Sequence, residues 1–335
     1  MKNQRVVLAS RPSGEPAAEN FRLEDAPLAP LADGELRVQH SYLSLDPYMR
    51  GRMSEAKSYA QPQALNETMI GGTAGVVVES RNAKFPVGAS VVGGGGWQLY
   101  STATGKADVR VVDTAHVPLS AYLGCVGMPG MTAWYGLLKI CEPKAGETVC
   151  VDAAAGAVGS VVGQLAKAHG CTVVGIAGGA DKCAYVVNEL GFDACVDYKA
   201  FPEPKDFYAA LKVVTPNGID CHFENVGGTI LDAVMLRMNG FGRIAMCGMI
   251  SGYNGVPIPM AAPQLILQSR LKIQGFIVSE HMQLWPEGLT VLGTGVASGK
   301  IKYRETIADG LAAAPQAFFD LLKGKNFGKQ LVKLA

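Results

Sequence analysis

The sequence predicts an α/β protein of two domains, a compact β domain and a second domain built on a doubly wound parallel sheet. Three observations predict it. The chain has 335 residues, more than one ordinary core accommodates. Up to about residue 120 it is rich in short extended runs broken by Gly and Pro, and beyond that strand and helix patterns alternate. At the head of the alternating part stands Val149-Cys-Val-Asp-Ala-Ala-Ala-Gly-Ala-Val-Gly-Ser-Val-Val-Gly163, which reads as a buried strand, a glycine turn and the start of a helix.

In the first part, Leu36–Tyr42 partly alternates, and Gly75–Glu79 and Ala89–Val92 are short strands, the last preceded by the turn Phe85-Pro-Val-Gly88. From about residue 121 the periodicity predicts a strand at Thr148–Val151 and a helix closed by Gly170. A second strand follows at Thr172–Ile176, then a helix at Lys182–Leu190 with Gly191 at its stop position. Strands are expected at Ala194–Val196, Ile219–Phe223, Arg243–Cys247 and Lys272–Val278, with helices near 205–214 and 229–238. Ile301–Ile307 is strand-like again, and a helix at 312–323 and a strand at Gln330–Leu334 end the chain. The tail is expected to rejoin the first domain.

Hydrophobic residues make up 48% and charged residues 18%, the balance of a globular protein. The formal net charge is +1 with no block of Lys or Arg, which argues against nucleic acid or an anionic membrane as partner. No run of about 18 apolar residues suggests a membrane span, and the opening segment does not resemble a signal peptide. Eight cysteines stand at 125, 141, 150, 171, 183, 195, 221 and 247, with no Cys-x-x-Cys pair. Reduced thiols, most of them buried, in a cytoplasmic protein are the expectation. His222 adjoins Cys221, but strand neighbours point to opposite faces, so core packing is expected there and no metal site.

Gly156, Ala157, Val158 and Gly159 form the turn expected to hold a pyrophosphate on free helix N–H groups. The second strand ends Ile176-Ala-Gly-Gly179, with no acid to hold ribose hydroxyls. The small residues leave room for a phosphate, and Lys182 supplies a point charge, so NADPH is expected over NADH. Hydride transfer then needs orientation and a donor to the oxygen where charge develops. With no zinc constellation, an α,β-unsaturated carbonyl fits better than an alcohol. Tyr253, in the loop Cys247-Gly-Met-Ile-Ser-Gly-Tyr-Asn-Gly255, is the leading candidate donor, and Tyr48 in Leu45-Asp-Pro-Tyr-Met-Arg50 the weaker one.

Several segments taken together carry a family resemblance. They are Leu45-Asp-Pro-Tyr-Met-Arg-Gly-Arg-Met53, Gly127-Met-Pro-Gly-Met-Thr-Ala133, Glu224-Asn-Val-Gly-Gly228, Cys247-Gly-Met-Ile-Ser-Gly-Tyr-Asn254 and Leu322-Lys-Gly-Lys-Asn-Phe-Gly-Lys329. With these the chain resembles the zinc-independent branch of the medium-chain dehydrogenase/reductases over essentially its whole length. That branch includes leukotriene/prostaglandin reductases, plant alkenal double-bond reductases and the bacterial curcumin-reductase group, to which the likeness is closest. Zinc-dependent relatives carry Gly-His-Glu where this chain has Gly71-Gly-Thr-Ala-Gly75, together with a cysteine lobe that is missing here.

The resemblance implies a GroES-like β-barrel domain for substrate, residues 1–121 and 299–335, and a Rossmann domain for NADPH, residues 122–298. It places Lys182 and Tyr198 at the 2′-phosphate, Asn225 after the fourth strand, and Cys247, Gly248, Met249, Ile250, Ser251, Gly252 and Tyr253 beside the nicotinamide. Phe276, Ile277 and Val278 match contacts on the last sheet strand, Thr132 lies in the segment entering the nicotinamide pocket, and Asn326 is a contact from the tail. Gly252 departs from the family, in which a larger residue is common. The implied activity is NADPH-dependent reduction of the carbon–carbon double bond of enals and enones, by a homodimer. The competing expectations are an NADPH:quinone oxidoreductase and a catalytically silent NADPH-binding protein.

Overall fold

The computed structural model describes residues 2–335. The chain divides into two compact units, one running to Gly124 and taking in Glu305–Ala335, the other spanning Cys125–Arg304. The expected boundaries lay three and six residues earlier in the chain.

The first unit opens with a hairpin, β1 (Asn3–Leu8) against β2 (Phe21–Ala26), in antiparallel register from Asn3↔Ala26 to Leu8↔Phe21. β3 (Leu36–Ser44), the short helix α1 (Tyr48–Arg52), β4 (Thr73–Ser80), β5 (Ser90–Gly93), β6 (Tyr100–Ala103) and β7 (Val109–Val111) follow. Its core forms where Phe21 stacks on Trp97 with centroids 5.4 Å apart, and Phe318 meets Trp97 edge-on at 5.8 Å. Leu43, Leu45 and Met49 fill the same cluster.

The second unit begins with α2 (Met128–Tyr135), which passes into a π-helical turn, Gly136–Cys141. Then come β8 (Thr148–Val151), α3 (Gly159–Ala168), β9 (Thr172–Ala177), α4 (Ala180–Asn188), β10 (Ala194–Asp197), α5 (Pro204–Val214), β11 (Ile219–Glu224), α6 (Gly228–Met235), β12 (Met238–Met246), α7 (Gln264–Gln268), β13 (Lys272–Gly275) and α8 (Trp285–Ala297). Among the described residues these strands form one six-stranded sheet, ordered β10-β9-β8-β11-β12-β13, with every neighbouring pair parallel. β8 and β9, inside the sheet, are nearly continuous apolar runs, as strands buried on both faces are. The order reverses between β8 and β11, and such a switch point opens a crevice at the strand ends.

The chain then returns to the first unit as β14 (Glu305–Asp309), α9 (Ala314–Leu322) and β15 (Lys329–Lys333). Among the described residues the large sheet there runs β14-β15-β3-β4-β5-β7, with β6 on β3. β15 is therefore an interior strand, parallel to β14 and antiparallel to β3. A buried ion pair ties it down. Lys329 Nζ lies 2.8 Å from Asp46 Oδ1 and donates to the Leu45 carbonyl at 2.5 Å, with side chains 4% and 8% exposed. Ser44 Oγ donates to the other carboxylate oxygen.

Three expectations need correction. The helix near 229–238 ends at Met235, and Met238 already belongs to β12. The last strand of the parallel sheet ends at Gly275, because its neighbour β12 has no residue past Met246 to pair with. Phe276 and Ile277 therefore lie beyond the strand, and Val278 opens a 3₁₀ segment. The strand expected at 301–307 begins only at Glu305, where β15 offers a partner, while Ile301 packs against Gly295 of α8.

Breaking the Lys329–Asp46 pair from one side leaves a charge buried without its partner, which costs about 3–5 kcal/mol. Urea unfolding should show Lys329→Met destabilised by that amount, with Asp46→Asn added to it recovering part. A loss under about 1 kcal/mol would contradict the role given to this pair.

Candidate active site

β8 delivers the chain to the switch point and stops at Val151, and the glycine turn follows. Ala153 adopts a left-handed backbone, φ +45°, an unusual state for a side chain other than glycine. That fold-back brings the Ala153 carbonyl against the helix start. A Cβ on Gly159 would sit 2.5 Å from that oxygen and one on Gly156 3.0 Å, so no larger residue fits at Gly159 without moving backbone. The ten-residue helix α3 starts there, with Ala157 and Val158 partly exposed ahead of it. This is a cradle of backbone open to an anion.

Directly beside it lies a cluster that sequence spacing did not reveal. Asp152, His222 and Glu224 are fully buried, and their donor atoms lie within 4.8 Å of one another. The Asp152 carboxyl group accepts the Asn225 amide at 2.7 Å and the Val226 amide at 3.2 Å. Glu224 accepts the Val226 and Gly227 amides, each at 2.6 Å. The His222 Nδ1 lies 3.1 Å from the Cys150 carbonyl, which can only accept, so this nitrogen carries hydrogen. Nε2 is 3.1 Å from Glu224 Oε2, so a proton lies between them. A further hydrogen bond joins the carboxyl groups of Asp152 and Glu224. Counting these protons gives a neutral set, with Asp152 in its acid form.

The electrostatics agree. Burial pushes Asp152 well above the usual carboxylate range, and the Glu224 charge pushes it further. Burial also works against charge on Glu224, but the His222 hydrogen bond and charge hold it down at about 2. Burial, with both carboxyl groups nearby, pushes the Cys247 thiol up to about 12, so it stays a neutral wall residue rather than a nucleophile.

The remaining expected residues fall in several places. Asn225 bridges the two loops, with its Nδ2 on the Asp152 carbonyl at 3.1 Å and its own carbonyl accepting the Ile250 amide. Gly248, Met249, Ile250, Ser251 and Gly252 follow on the loop beyond β12, where Ser251 Oγ donates to the Val226 carbonyl at 2.6 Å. Tyr253 is half-buried, and its hydroxyl accepts the Met249 amide at 3.4 Å. A Cβ on Gly248 would be 3.1 Å from that hydroxyl. The room left by Gly252 is taken by Ile258, whose Cδ1 would be 2.9 Å from a Cβ there, so the loop is not hollow at this point.

Thr132 is buried and its hydroxyl donates to the Met128 carbonyl at 2.8 Å. The Phe276 ring packs against Tyr135 and Phe223, centroids 5.5 and 6.2 Å away, and Gly136 lets both phenyl rings approach the π-turn. In the other unit, Tyr48 is half-buried beside the core with Arg52 5.9 Å from its ring centre, and burial raises its phenol well above the usual range. Asn326 donates to the Gly328 carbonyl at 2.7 Å, a contact within its own turn.

At the end of β9 the corner around Gly178 and Gly179 is basic. Gly179, φ +108°, caps α4 and its amide donates to Asp197 Oδ1 at 2.7 Å, which also accepts the Lys199 amide at 3.0 Å. One oxygen of the Asp197 carboxylate is therefore held by two backbone amides. Tyr198 and Lys199 pack over Gly178, where a Cβ would meet both at 2.9 Å. Burial first, and the charge of Lys199 second, lower the Lys182 ammonium below its ordinary value. Two cations thus face one corner, an arrangement an anion relieves. Lys199 was absent from the expected set, although its place next to Tyr198 was a usable signal.

Residues 4–111 match the family described as "N-terminal domain of oxidoreductase", and residues 157–293 the one described as "Zinc-binding dehydrogenase". The chain is 46% identical to the NADPH-dependent curcumin reductase of Escherichia coli (strain K12), over all of this chain and 97% of that one. The chain belongs to the zinc-independent medium-chain dehydrogenase/reductases. Within this medium-chain family it is also 40% identical to the NADP(+)-dependent 2-alkenal reductase of Nicotiana tabacum, over 100% of this chain and 98% of the relative. The crystal structure of CurA from Vibrio vulnificus in complex with NADPH superposes with a TM-score of 0.93 at 46% identity, covering 99% of each chain. No helix among the described residues is long and apolar enough to cross a membrane.

The proton count at the switch point predicts a pH effect. Asp152 is raised in the folded state, so above about pH 4 folding takes up a proton, and stability falls by about 1.4 kcal/mol per pH unit until the folded pKa is reached. Asp152→Asn supplies a neutral donor without that uptake. Its stability relative to the parent chain should rise with pH from about pH 5 in urea titrations, until the folded Asp152 ionises. The Glu224 contribution changes only at lower pH and does not interfere. A pH-independent offset would show that Asp152 is ionised in the fold.

Proposed function

We propose that the protein reduces the carbon–carbon double bond of α,β-unsaturated aldehydes and ketones with NADPH. One observation carries this: the crevice belongs to a chain alike over its whole length to enzymes named for NADPH-dependent curcumin and 2-alkenal reduction. The residues present fit the cofactor, since the backbone cradle excludes side chains where a pyrophosphate needs access and the corner at Gly178–Gly179 presents cations.

In this reading Gly156, Ala157, Val158 and Gly159 hold the pyrophosphate on backbone amides. Lys182, Lys199 and the Tyr198 hydroxyl hold the 2′-phosphate. Asn225, the loop Cys247–Tyr253, Thr132, Phe276, Ile277 and Val278 hold the nicotinamide end, and Asn326 is a further contact assigned by the resemblance. Bound NADPH supplies a hydride for the β-carbon. Tyr253 donates a hydrogen bond to the carbonyl oxygen, where negative charge grows. Donation asks for no full proton loss, so a phenol that keeps its proton serves. Tyr48 is the weaker candidate assigned by the resemblance, and burial keeps its phenol protonated. The neutral Cys247 keeps a reactive thiolate away from an electrophilic substrate. Assembly as a homodimer through the open edge of β13, and a cytoplasmic location, belong to the same proposal, supported by that edge position and by eight free thiols.

A steady-state panel of 2-alkenals, enones, curcumin-like dienones and quinones, each with NADPH and NADH, tests the reading. Alkenals and enones should be reduced with NADPH preferred, and a clear preference for quinones would replace this reading with a quinone reductase. Lys182→Ala should cut the NADPH-over-NADH preference about tenfold through loss of one charge-assisted contact. Tyr253→Phe should lower kcat roughly tenfold to a hundredfold, a larger effect than its loss of NADPH affinity. Unchanged turnover would remove Tyr253 from the chemistry.

A further inference from the structure

Two cysteines stand apart from the others. Cys183 on α4 and Cys195 on β10 have sulfurs 3.2 Å apart, with the Cys195 thiol donating to the Cys183 sulfur. Both are partly exposed, as is Cys247, whereas Cys125, Cys141, Cys150, Cys171 and Cys221 are buried. The close approach is built into the fold. Gly175 on β9 leaves the space, since a Cβ there would lie 3.2 Å from the Cys195 sulfur. The hydrogen bond from Cys195 lowers the Cys183 thiol below its ordinary range, the property of an attacking sulfur.

The pair also lies within the basic corner. Cys183 follows Lys182, and its amide donates to the Gly179 carbonyl at 3.2 Å. Cys195 stands two residues before Asp197, whose carboxylate joins the Gly179 and Lys199 amides. The sulfurs and this carboxylate therefore bridge the same two elements, the start of α4 and the end of β10. We propose that Cys183 and Cys195 are a redox-active pair that closes reversibly to a disulfide and thereby weakens the hold of this corner on a 2′-phosphate. The covalent step stands on the thiol geometry alone, and the coupling rests on the cofactor reading given above.

The oxidant is a hydroperoxide. The Cys183 thiolate attacks the distal oxygen, the O–O bond breaks, and the departing oxide takes a proton, leaving a sulfenic acid. The Cys195 sulfur then attacks the Cys183 sulfur, hydroxide leaves, and the Cys195 proton converts it to water. Closure draws the sulfurs in from 3.2 Å to about 2.05 Å. The start of α4, with Lys182, moves against β10, with Lys199. A dithiol reverses the step and leaves as its own disulfide.

The test treats the whole protein with hydrogen peroxide, maps cross-linked peptides by mass spectrometry, and titrates NADPH by fluorescence before and after. A Cys183–Cys195 cross-link is expected, with the NADPH dissociation constant raised about fivefold or more and restored by dithiothreitol. Saturating NADPH should shift the thiol–disulfide equilibrium against dithiothreitol toward the dithiol by the same factor. Cys195→Ser should keep the affinity of the reduced protein and lose the response to peroxide. Oxidation without this cross-link would overturn the pair, and a cross-link with unchanged NADPH affinity would overturn the coupling. Reduced protein that binds no NADPH would overturn the cofactor reading and the coupling together, while the peptide map still decides the pair.

Discussion

The hydrogen bonds of one buried carboxyl group join the two halves of the parallel sheet. Asp152 leaves β8 and receives the first amides beyond β11, so the loops on either side of the switch point are tied to one another rather than each to water. Everything that frames the crevice follows from that tie. The glycine turn departs from Asp152 in one direction. Asn225 departs in the other and holds the loop of Tyr253 through Ile250. Keeping the group in its acid form lets it accept two amides and donate to Glu224 at once, which an ionised carboxylate could not do. The cost is a proton that the folded chain must retain.

The basic corner works on the opposite principle. At the switch point charges are neutralised internally, with hydrogen bonds complete. Around Gly178 two lysines share one corner, and one oxygen of the nearby acid, Asp197, accepts two backbone amides. In the cofactor reading proposed above, such a corner favours a dianion over a neutral ribose hydroxyl.

The parallel sheet was legible because strands buried on both faces are apolar runs bounded by glycine, and β8 falls on its expected residues. The first unit was less so. The β1–β2 hairpin is charged and half-exposed along β2, without alternation strong enough to signal a strand. Helix α8 went unseen because Gly288, Gly293 and Gly295 read as loop, whereas Gly288 makes room for Met131 and Trp134 and Gly295 for Ile301. In the site, the glycine turn and Lys182 could be read from local pattern. The Asp152 cluster could not, since 73 positions separate Asp152 from Asn225 and only the sheet order brings them together.

The interior place of β15 bears on how the chain is made. A ribosome releases the N-terminal strands first, but β3 lacks one of its neighbours, and Asp46 its counter-ion, until Lys329–Lys333 has emerged. The second unit is one continuous stretch and can fold while synthesis proceeds. The first to be translated is thus the last to be completed. Through that interval the edge of β3 stays open and the Asp46 carboxylate uncompensated.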